Sequence, residues 1–172
     1  MDFDNDLPEE TIETGSDELL SHDNLRLPED ASPLVRLHAV RAWLARRQKE
    51  TGIEIGMAAI EMQNLQRTEA SEGGRLRRRE LQAREVQVQH AQQVFQDAQQ
   101  RLHAYEDAEA LLEESVNHIT ISERLLVEYY LATEELVQQG MQEDETVASP
   151  RVQALIDVLH RVEHVTVPGE EG

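Results

Sequence analysis

The sequence predicts an all-α protein: a long antiparallel helical hairpin or coiled coil, with additional C-terminal helices and a disordered acidic N-terminal tail. Three observations support this class. Residues 75–118 contain no proline or glycine and carry apolar side chains at heptad spacing. Aromatic residues make up only 3% of the chain, so aliphatic side chains packed between helices must supply most of the core. No segment has the alternating pattern of a convincing strand.

The heptad ladder is the most informative feature of the sequence. An alternating spacing of three and four residues runs through twelve positions, of which ten are apolar and two, Arg84 and Glu109, are charged. The apolar positions are Leu81, Val88, Ala91, Phe95, Ala98, Leu102, Tyr105, Leu112, Val116 and Ile119. A helix of about 65 Å cannot satisfy so narrow an apolar seam in water. We therefore predict that the seam packs against another helix, which belongs either to the same chain or to a partner.

The first arm of the hairpin is predicted to run from residue 33 to about residue 70. Serine followed by proline at 32–33 is a helix-start signal. Gly52 and Gly56 lie inside this arm, and either one weakened helix or two helices with a kink would fit the pattern. Two adjacent glycines at 73–74 then provide the backbone freedom for a tight turn into the second arm.

The predicted coiled-coil domain covers residues 32–140 and ends in a further helix. A capping box over residues 120–123 marks the start of that helix, which runs from about 121 to 139 with Gly140 at its end. Its apolar residues cover so wide an arc that we predict burial on more than one side, either on the hairpin or in an interface.

Two shorter segments follow this domain. An acidic linker is predicted over residues 141–148, and a C-terminal amphipathic helix over residues 149–165 repeats the serine–proline start signal. Residues 166–172 are predicted to be disordered.

Charge is distributed unevenly along the chain. The net charge of −19 divides into −10 for residues 1–32, +5 for residues 33–84 and −14 for residues 85–172. This acidity argues against general binding of nucleic acid, because phosphate contacts need clustered cations. The beginning of the sequence lacks the pattern of a secretory signal and no uncharged apolar run is long enough to span a bilayer. We therefore predict an intracellular protein, cytoplasmic or nuclear.

The acidic tail over residues 1–31 is predicted to be disordered, because it buries too little apolar surface to offset its chain entropy. Four leucines interrupt its acidity and define a candidate docking segment for a basic groove: Leu19, Leu20, Leu25 and Leu27. The alternative is a solvated tail that happens to contain leucines.

A basic cluster is predicted at the tip of the hairpin, formed by Arg75, Arg77, Arg78 and Arg79. Positive charge at a helix N-terminus opposes the helix dipole, so some negative group is expected to compensate for it. The simplest source is a neighbouring glutamate such as Glu69, Glu72 or Glu80. The other sources are the acidic tail and an external acidic partner, phosphate or membrane surface.

Candidate chemistry is sparse. Residues 160–164 match the H-x-x-E-H pattern of some zinc peptidases, but five-residue patterns arise often by chance and a short terminal helix is a poor place for a preorganised site. The chain contains no cysteine, and its sequence contains no cluster of nucleophile, base and orienting acid and no phosphate-binding loop. We predict no catalytic residue, no metal site and no cofactor.

These features favour a non-enzymatic structural or adaptor subunit that contacts partner helices through coiled-coil packing, as a homo- or hetero-oligomer. The alternative is an acidic regulator or chaperone-like inhibitor whose tail occupies a basic surface of a client protein. Binding to a membrane surface through the arginine tip is a third, less favoured hypothesis, and nucleic acid is not an expected partner.

Overall fold

The computed structural model describes residues 27, 30–72, 74 and 77–166. Its regular structure over these residues consists of five helices: α1 Pro33–Glu72, α2 Arg78–Glu114, α3 His118–Gln138, α4 Glu143–Thr146 and α5 Pro150–Thr166. No strand occurs in this part of the chain, and the predicted all-α class is confirmed for it. None of the described helices has the length and hydropathy that a bilayer-crossing segment requires.

The first helix, α1, begins at the proline that the sequence indicates. The Ser32 side chain accepts a hydrogen bond from the Val35 amide at 3.3 Å, which satisfies one of the free amides of the first turn. Of the two alternatives left open for this arm, the structure has the single helix, because α1 continues through Gly52 and Gly56 without interruption.

Replacing these two glycines with alanine is expected to stabilise the protein. A Cβ atom added at Gly52 or Gly56 meets nothing within 4 Å, and neither glycine has a positive φ. Each substitution therefore removes conformational freedom from the unfolded chain without a clash, and should raise the free energy of unfolding by roughly 0.5–1 kcal/mol. Urea denaturation followed by circular dichroism measures the change, and a loss of stability would show that the helix needs glycine at these positions.

The two long helices, α1 and α2, run antiparallel. The polar contacts between them include, in order along α1, the Arg41 guanidinium with the Leu112 carbonyl, the Gln48 amide with the Glu109 carboxylate, and the Glu54 carboxylate with the Arg101 guanidinium. The residue number falls along α2 as it rises along α1, which is the order that a turn between two adjacent helices imposes.

The main core lies at one end of the α1–α2 pair, where α3 and α5 pack against it. We call this four-helix end the base, and we call the part formed by residues 52–72 and 78–101 the stalk. The buried side chains of the base are Leu37, Val40, Trp43, Leu44, Ala104, Tyr105, Ala108, Leu112, Ile121, Leu125, Ala132, Val152, Ala154, Leu155, Val158 and Val162. In the stalk the buried apolar side chains are the small ones of Ala58, Ala91 and Ala98, which let α1 and α2 approach closely.

The C-terminal helix α5 is part of the base and packs against α1, α2 and α3. Its apolar residues at Val152, Leu155, Val158 and Val162 are at most 1% exposed. The sequence predicts this helix almost to its ends, but does not predict that three other helices surround it. The preceding segment, predicted as an acidic linker, contains the single-turn helix α4, in which Thr146 is buried.

The start of α3 differs from the prediction. Its N-cap is Asn117, whose side-chain oxygen accepts a hydrogen bond from the Ile119 amide at 3.0 Å. The Ser115 hydroxyl in turn accepts from the Asn117 amide at 3.1 Å. The predicted start at residues 120–123 is wrong, because asparagine, an equally good cap, already supplies the acceptor one turn earlier.

The end of α3 is formed by Gly140, as predicted. Its φ of +97° lies in the left-handed region that glycine adopts without steric cost. The Met141 amide donates to the Leu136 carbonyl at 3.0 Å and the Gly140 amide donates to the Val137 carbonyl at 2.9 Å. This pair of bonds is the Schellman motif, which satisfies the last carbonyls of the helix.

The heptad ladder is buried along only part of its length. Ala91, Ala98, Tyr105 and Leu112 are buried, Val88, Phe95 and Leu102 are half-buried, and Leu81, Val116 and Ile119 are exposed. The last two do not belong to the seam, because α2 ends at Glu114 and the turn at 115–117 changes the direction of the chain. The seam therefore stops at Leu112.

Tyr105 makes the stability of the folded protein depend on pH in the alkaline range. Burial raises the pKa of its phenol above the usual value of about 10, and the negative charge of Asp157 raises it further, whereas Arg47 and Arg101 oppose the change. Above pH 10 the unfolded chain ionises first and binds fewer protons than the folded chain, so the free energy of unfolding falls as pH rises.

We expect Tyr105→Phe to remove this alkaline loss of stability, which amounts to at most about 1.4 kcal/mol per pH unit above pH 10. Denaturation curves between pH 8 and pH 11 measure it. Tyr130→Phe is the matched control, since the Tyr130 ring is 61% exposed. An identical pH profile for wild type and Tyr105→Phe would contradict the prediction.

Candidate functional site

Helix α3 has an inner face that completes the base and an outer face that none of the described residues covers. Ile121, Leu125 and Ala132 point into the core and are at most 3% exposed. The remaining large apolar side chains of α3 include six that lie on the other side and are between 38% and 61% exposed. They are Ile119, Leu126, Val127, Tyr130, Leu131 and Val137.

We call these six residues the outer α3 face. At 100° per residue they occupy an arc of about 140° on the helix surface. The arc follows α3 from its first turn to its last, and the exposed side chains lie along it as a strip whose central part is Leu126, Val127, Tyr130 and Leu131. Neighbouring apolar side chains that stay exposed on a protein surface often mark a site of interaction.

The aromatic part of the outer α3 face is held in place by the base. Tyr129 packs partly against the core, and its ring meets that of Tyr130 edge to face with a centroid distance of 5.4 Å. This contact orients the Tyr130 ring while leaving most of its surface accessible. The strip therefore presents a side chain that loses little conformational freedom when another surface covers it.

Two carboxylates lie within the same arc. Glu123 and Glu134 are both exposed and are separated by eleven residues, or about 16 Å along the helix axis. Among the described residues neither forms an ion pair, and the Gln138 amide donates a hydrogen bond to a Glu134 oxygen at 3.4 Å. Arg124, which supplies the positive charge of α3, is already paired with Glu114.

A second set of exposed apolar side chains lies on the stalk. Ile53, Met57 and Ile60 are spaced by four and three residues along α1 and are between 54% and 67% exposed. Gly52 and Gly56 lie beside them with open space above their Cα atoms. This row is shorter than the outer α3 face and lies on the two-helix part of the molecule.

The basic tip has one acidic side chain in the first turn of α2. Arg77, Arg78 and Arg79 are exposed, whereas Arg75 lies outside the described residues. A Glu80 carboxylate oxygen accepts a hydrogen bond from the Arg77 amide at 2.7 Å, which places negative charge in the first turn of α2. Of the compensating groups that the sequence leaves open, a neighbouring glutamate is therefore present.

The candidate docking leucines of the tail are described only in part. Leu19, Leu20 and Leu25 lie outside the described residues, while Leu27 is half-buried and packs against the core of the base. Close by in sequence, the Ala31 carbonyl accepts a hydrogen bond from the Arg36 guanidinium at 3.0 Å. Leu27 thus packs on its own chain.

The H-x-x-E-H pattern lies on the exposed side of α5. The rings of His160 and His164 are 6.1 Å apart, and they line a shallow cavity of about 260 Å³ beside Trp43. The guanidinium groups of Arg161 and Arg47 lie 4.9 Å and 5.6 Å from the Trp43 ring centre, so this cavity's cations stack on the indole. No group of three or more potential ligands close enough to hold a metal ion occurs among the described residues.

A cavity of about 370 Å³ between α2, α3 and the start of α5 is lined mainly by polar side chains. Arg151 forms ion pairs with residues on both other helices. One guanidinium nitrogen lies 3.7 Å from an Asp107 oxygen and another lies 3.3 Å from a Glu135 oxygen. These partly exposed ion pairs join three helices and account for the polar lining. We therefore interpret the cavity as a polar gap at the edge of the packed helices and not as a ligand site.

Comparison with protein-family models, with curated proteins and with solved structures gives no match for this chain. The interpretation of the site consequently rests on its geometry. Sequence reasoning places Ile119 in the heptad seam and does not include Val127 in any site, yet both lie on the outer α3 face. The wide apolar arc of α3 is the signal that points to this surface.

Proposed function

We propose that this protein is a non-enzymatic structural or adaptor subunit that binds other proteins helix to helix within a larger assembly. In this proposal α1 and α2 form a coiled-coil hairpin and the outer α3 face receives a partner. The observation that supports it is that six large apolar side chains remain exposed on α3 although the core of the base is complete without them. The proposal keeps the intracellular location that the sequence predicts, cytoplasmic or nuclear.

The dimensions of the outer α3 face favour a helix as the bound element. A helix of 21 residues is about 30 Å long, and its exposed strip is roughly as wide as one helix. An amphipathic helix laid along such a strip buries its own apolar residues at the i, i+3, i+4 and i+7 positions. Partner binding of this kind needs no ligand-sized cavity and no catalytic group.

The test is a double substitution, Val127→Glu with Leu131→Glu, in the tagged full-length chain purified from its native cells. We expect wild type to recover one or more partners in stoichiometric amounts and the variant to lose them, because two charges on the strip must be desolvated on binding. Gln92→Glu with Gln96→Glu is the matched control, since it adds the same charges at the same spacing on the exposed side of α2.

Retention of every partner by the α3 variant would reject the outer α3 face as the binding surface. Recovery of wild type alone as a monomer would reject the subunit role. Circular dichroism of all three proteins verifies that the substitutions leave the fold intact. The acidic-regulator alternative depends on the tail over residues 1–31, of which residues 1–26, 28 and 29 lie outside the described residues, and stays a prediction.

A further inference from the structure

The carboxylates on the outer α3 face restrict what can cover it. Glu123 and Glu134 stand near opposite ends of the apolar strip, so any helix that covers the strip lies close to both. Neither forms an ion pair among the described residues, since Arg124 pairs with Glu114, and burial of an unpaired carboxylate is costly. A well-matched occupant therefore brings positive charge to both positions.

A second copy of this chain is a poor occupant. The midpoint between the two glutamates nearly coincides with the centre of the strip, so an antiparallel pairing of two α3 helices places Glu123 of one copy opposite Glu134 of the other. A parallel pairing places each glutamate opposite itself. Both arrangements set like charges against each other at two points, which disfavours self-association through this face.

The acidic tail of the same chain is also a poor occupant. Residues 1–32 hold eleven acidic residues and one basic residue. The surface around the strip carries the same sign, because residues 106–146 hold twelve acidic residues and one basic residue, Arg124, which is paired with Glu114. Repulsion between the two segments opposes docking of the tail on the outer α3 face.

We infer that the outer α3 face binds a cationic amphipathic helix of another protein. This inference rests on the proposed function and specifies the chemistry of the partner. The apolar stripe of that helix covers Val127, Tyr130 and Leu131. Lysine or arginine side chains spaced by about three turns pair with Glu123 and Glu134. The surrounding acidic surface attracts such a helix before contact, and therefore makes its association sensitive to salt.

The probe is a designed 21-residue peptide with an amphipathic leucine stripe that is interrupted by two lysines eleven residues apart. A second peptide carries glutamate in place of lysine, and a third has the first composition in scrambled order. Fluorescence anisotropy with the full-length chain at 50 mM and 150 mM salt gives each Kd. We expect saturable binding of the lysine peptide, at least tenfold weaker binding of the glutamate peptide, and no saturable binding of the scrambled one.

Two variants separate site recognition from general attraction to an acidic protein. Glu123→Gln with Glu134→Gln should weaken binding of the lysine peptide by about tenfold, because it removes two partly exposed ion pairs. It should also reduce the dependence of the Kd on salt. Glu106→Gln with Glu113→Gln removes the same charge from exposed positions on α2 and should change the Kd by less than twofold.

Equal affinity for the lysine and glutamate peptides, or an equal effect of the two glutamine variants, would overturn the cationic-helix proposal while leaving an apolar docking role intact. Failure of the lysine peptide to bind overturns it as well. Light scattering tests whether a second copy of this chain occupies the face. A wild-type dimer that Val127→Glu with Leu131→Glu converts to a monomer would assign the face to self-association instead.

Discussion

Replacing Leu155 with alanine lowers the free energy of unfolding by about 2–5 kcal/mol, which is a large part of the stability of a domain of this size. Leu155 is 1% exposed and lies in the core of the base on α5. The substitution removes apolar contacts and leaves a cavity that helices held on several sides cannot close. Urea denaturation followed by circular dichroism gives the change in free energy.

The control for this experiment is Leu131→Ala on the outer α3 face, where the leucine is 54% exposed. The same chemical change there should alter the free energy of unfolding by no more than about 0.5 kcal/mol. Similar losses for the two variants would mean that α5 does not complete the core as described, or that the outer α3 face is covered within the chain.

Trp43→Ala is expected to cost about 3–5 kcal/mol, the usual range for removal of a buried tryptophan. The indole is 5% exposed and meets the Tyr105 ring edge to face with a centroid distance of 6.4 Å. The Arg161 guanidinium from α5 lies over the indole, 4.9 Å from the ring centre, so one ring joins α1, α2 and α5. Thermal unfolding followed by circular dichroism is the appropriate measurement, because the variant lacks the single tryptophan as a fluorophore.

Trp43→Phe should retain more than half of the stability that Trp43→Ala loses. Phenylalanine keeps much of the buried area, and the indole nitrogen that it lacks has no hydrogen-bond partner among the described residues. Tyr130→Ala is the exposed aromatic control. A loss for Trp43→Phe equal to that for Trp43→Ala would show that the contact depends on the indole itself rather than on its area.

Local signals in the sequence predict the helices well. A serine–proline pair starts α1 and α5, and Gly140 ends α3, because capping depends on a few adjacent side chains. The same reasoning fails at Asn117, where two capping signals lie within one turn of each other and the sequence does not rank them. The error moves Val116 and Ile119 from the surface into the seam.

The arrangement of the helices is harder to predict. Apolar periodicity identifies which side of a helix avoids water, but not which surface covers that side. For Leu155 the cover is three helices of the same chain, and for Leu131 the described residues provide none. The wide apolar arc of α3 therefore predicts burial of the helix on more than one side, and the described residues show which side packs within the chain.

The position of α5 has a consequence for the synthesis of the protein. Leu44 leaves the ribosome about 110 residues before Leu155, its fellow member of the core, which corresponds to roughly 6–20 s at ordinary rates of translation. During that interval α1, α2 and α3 can form, but the apolar surface that they share is not yet covered by α5. The nascent chain therefore keeps this apolar surface exposed until α5 emerges, and completion of the base is a late step of biosynthesis.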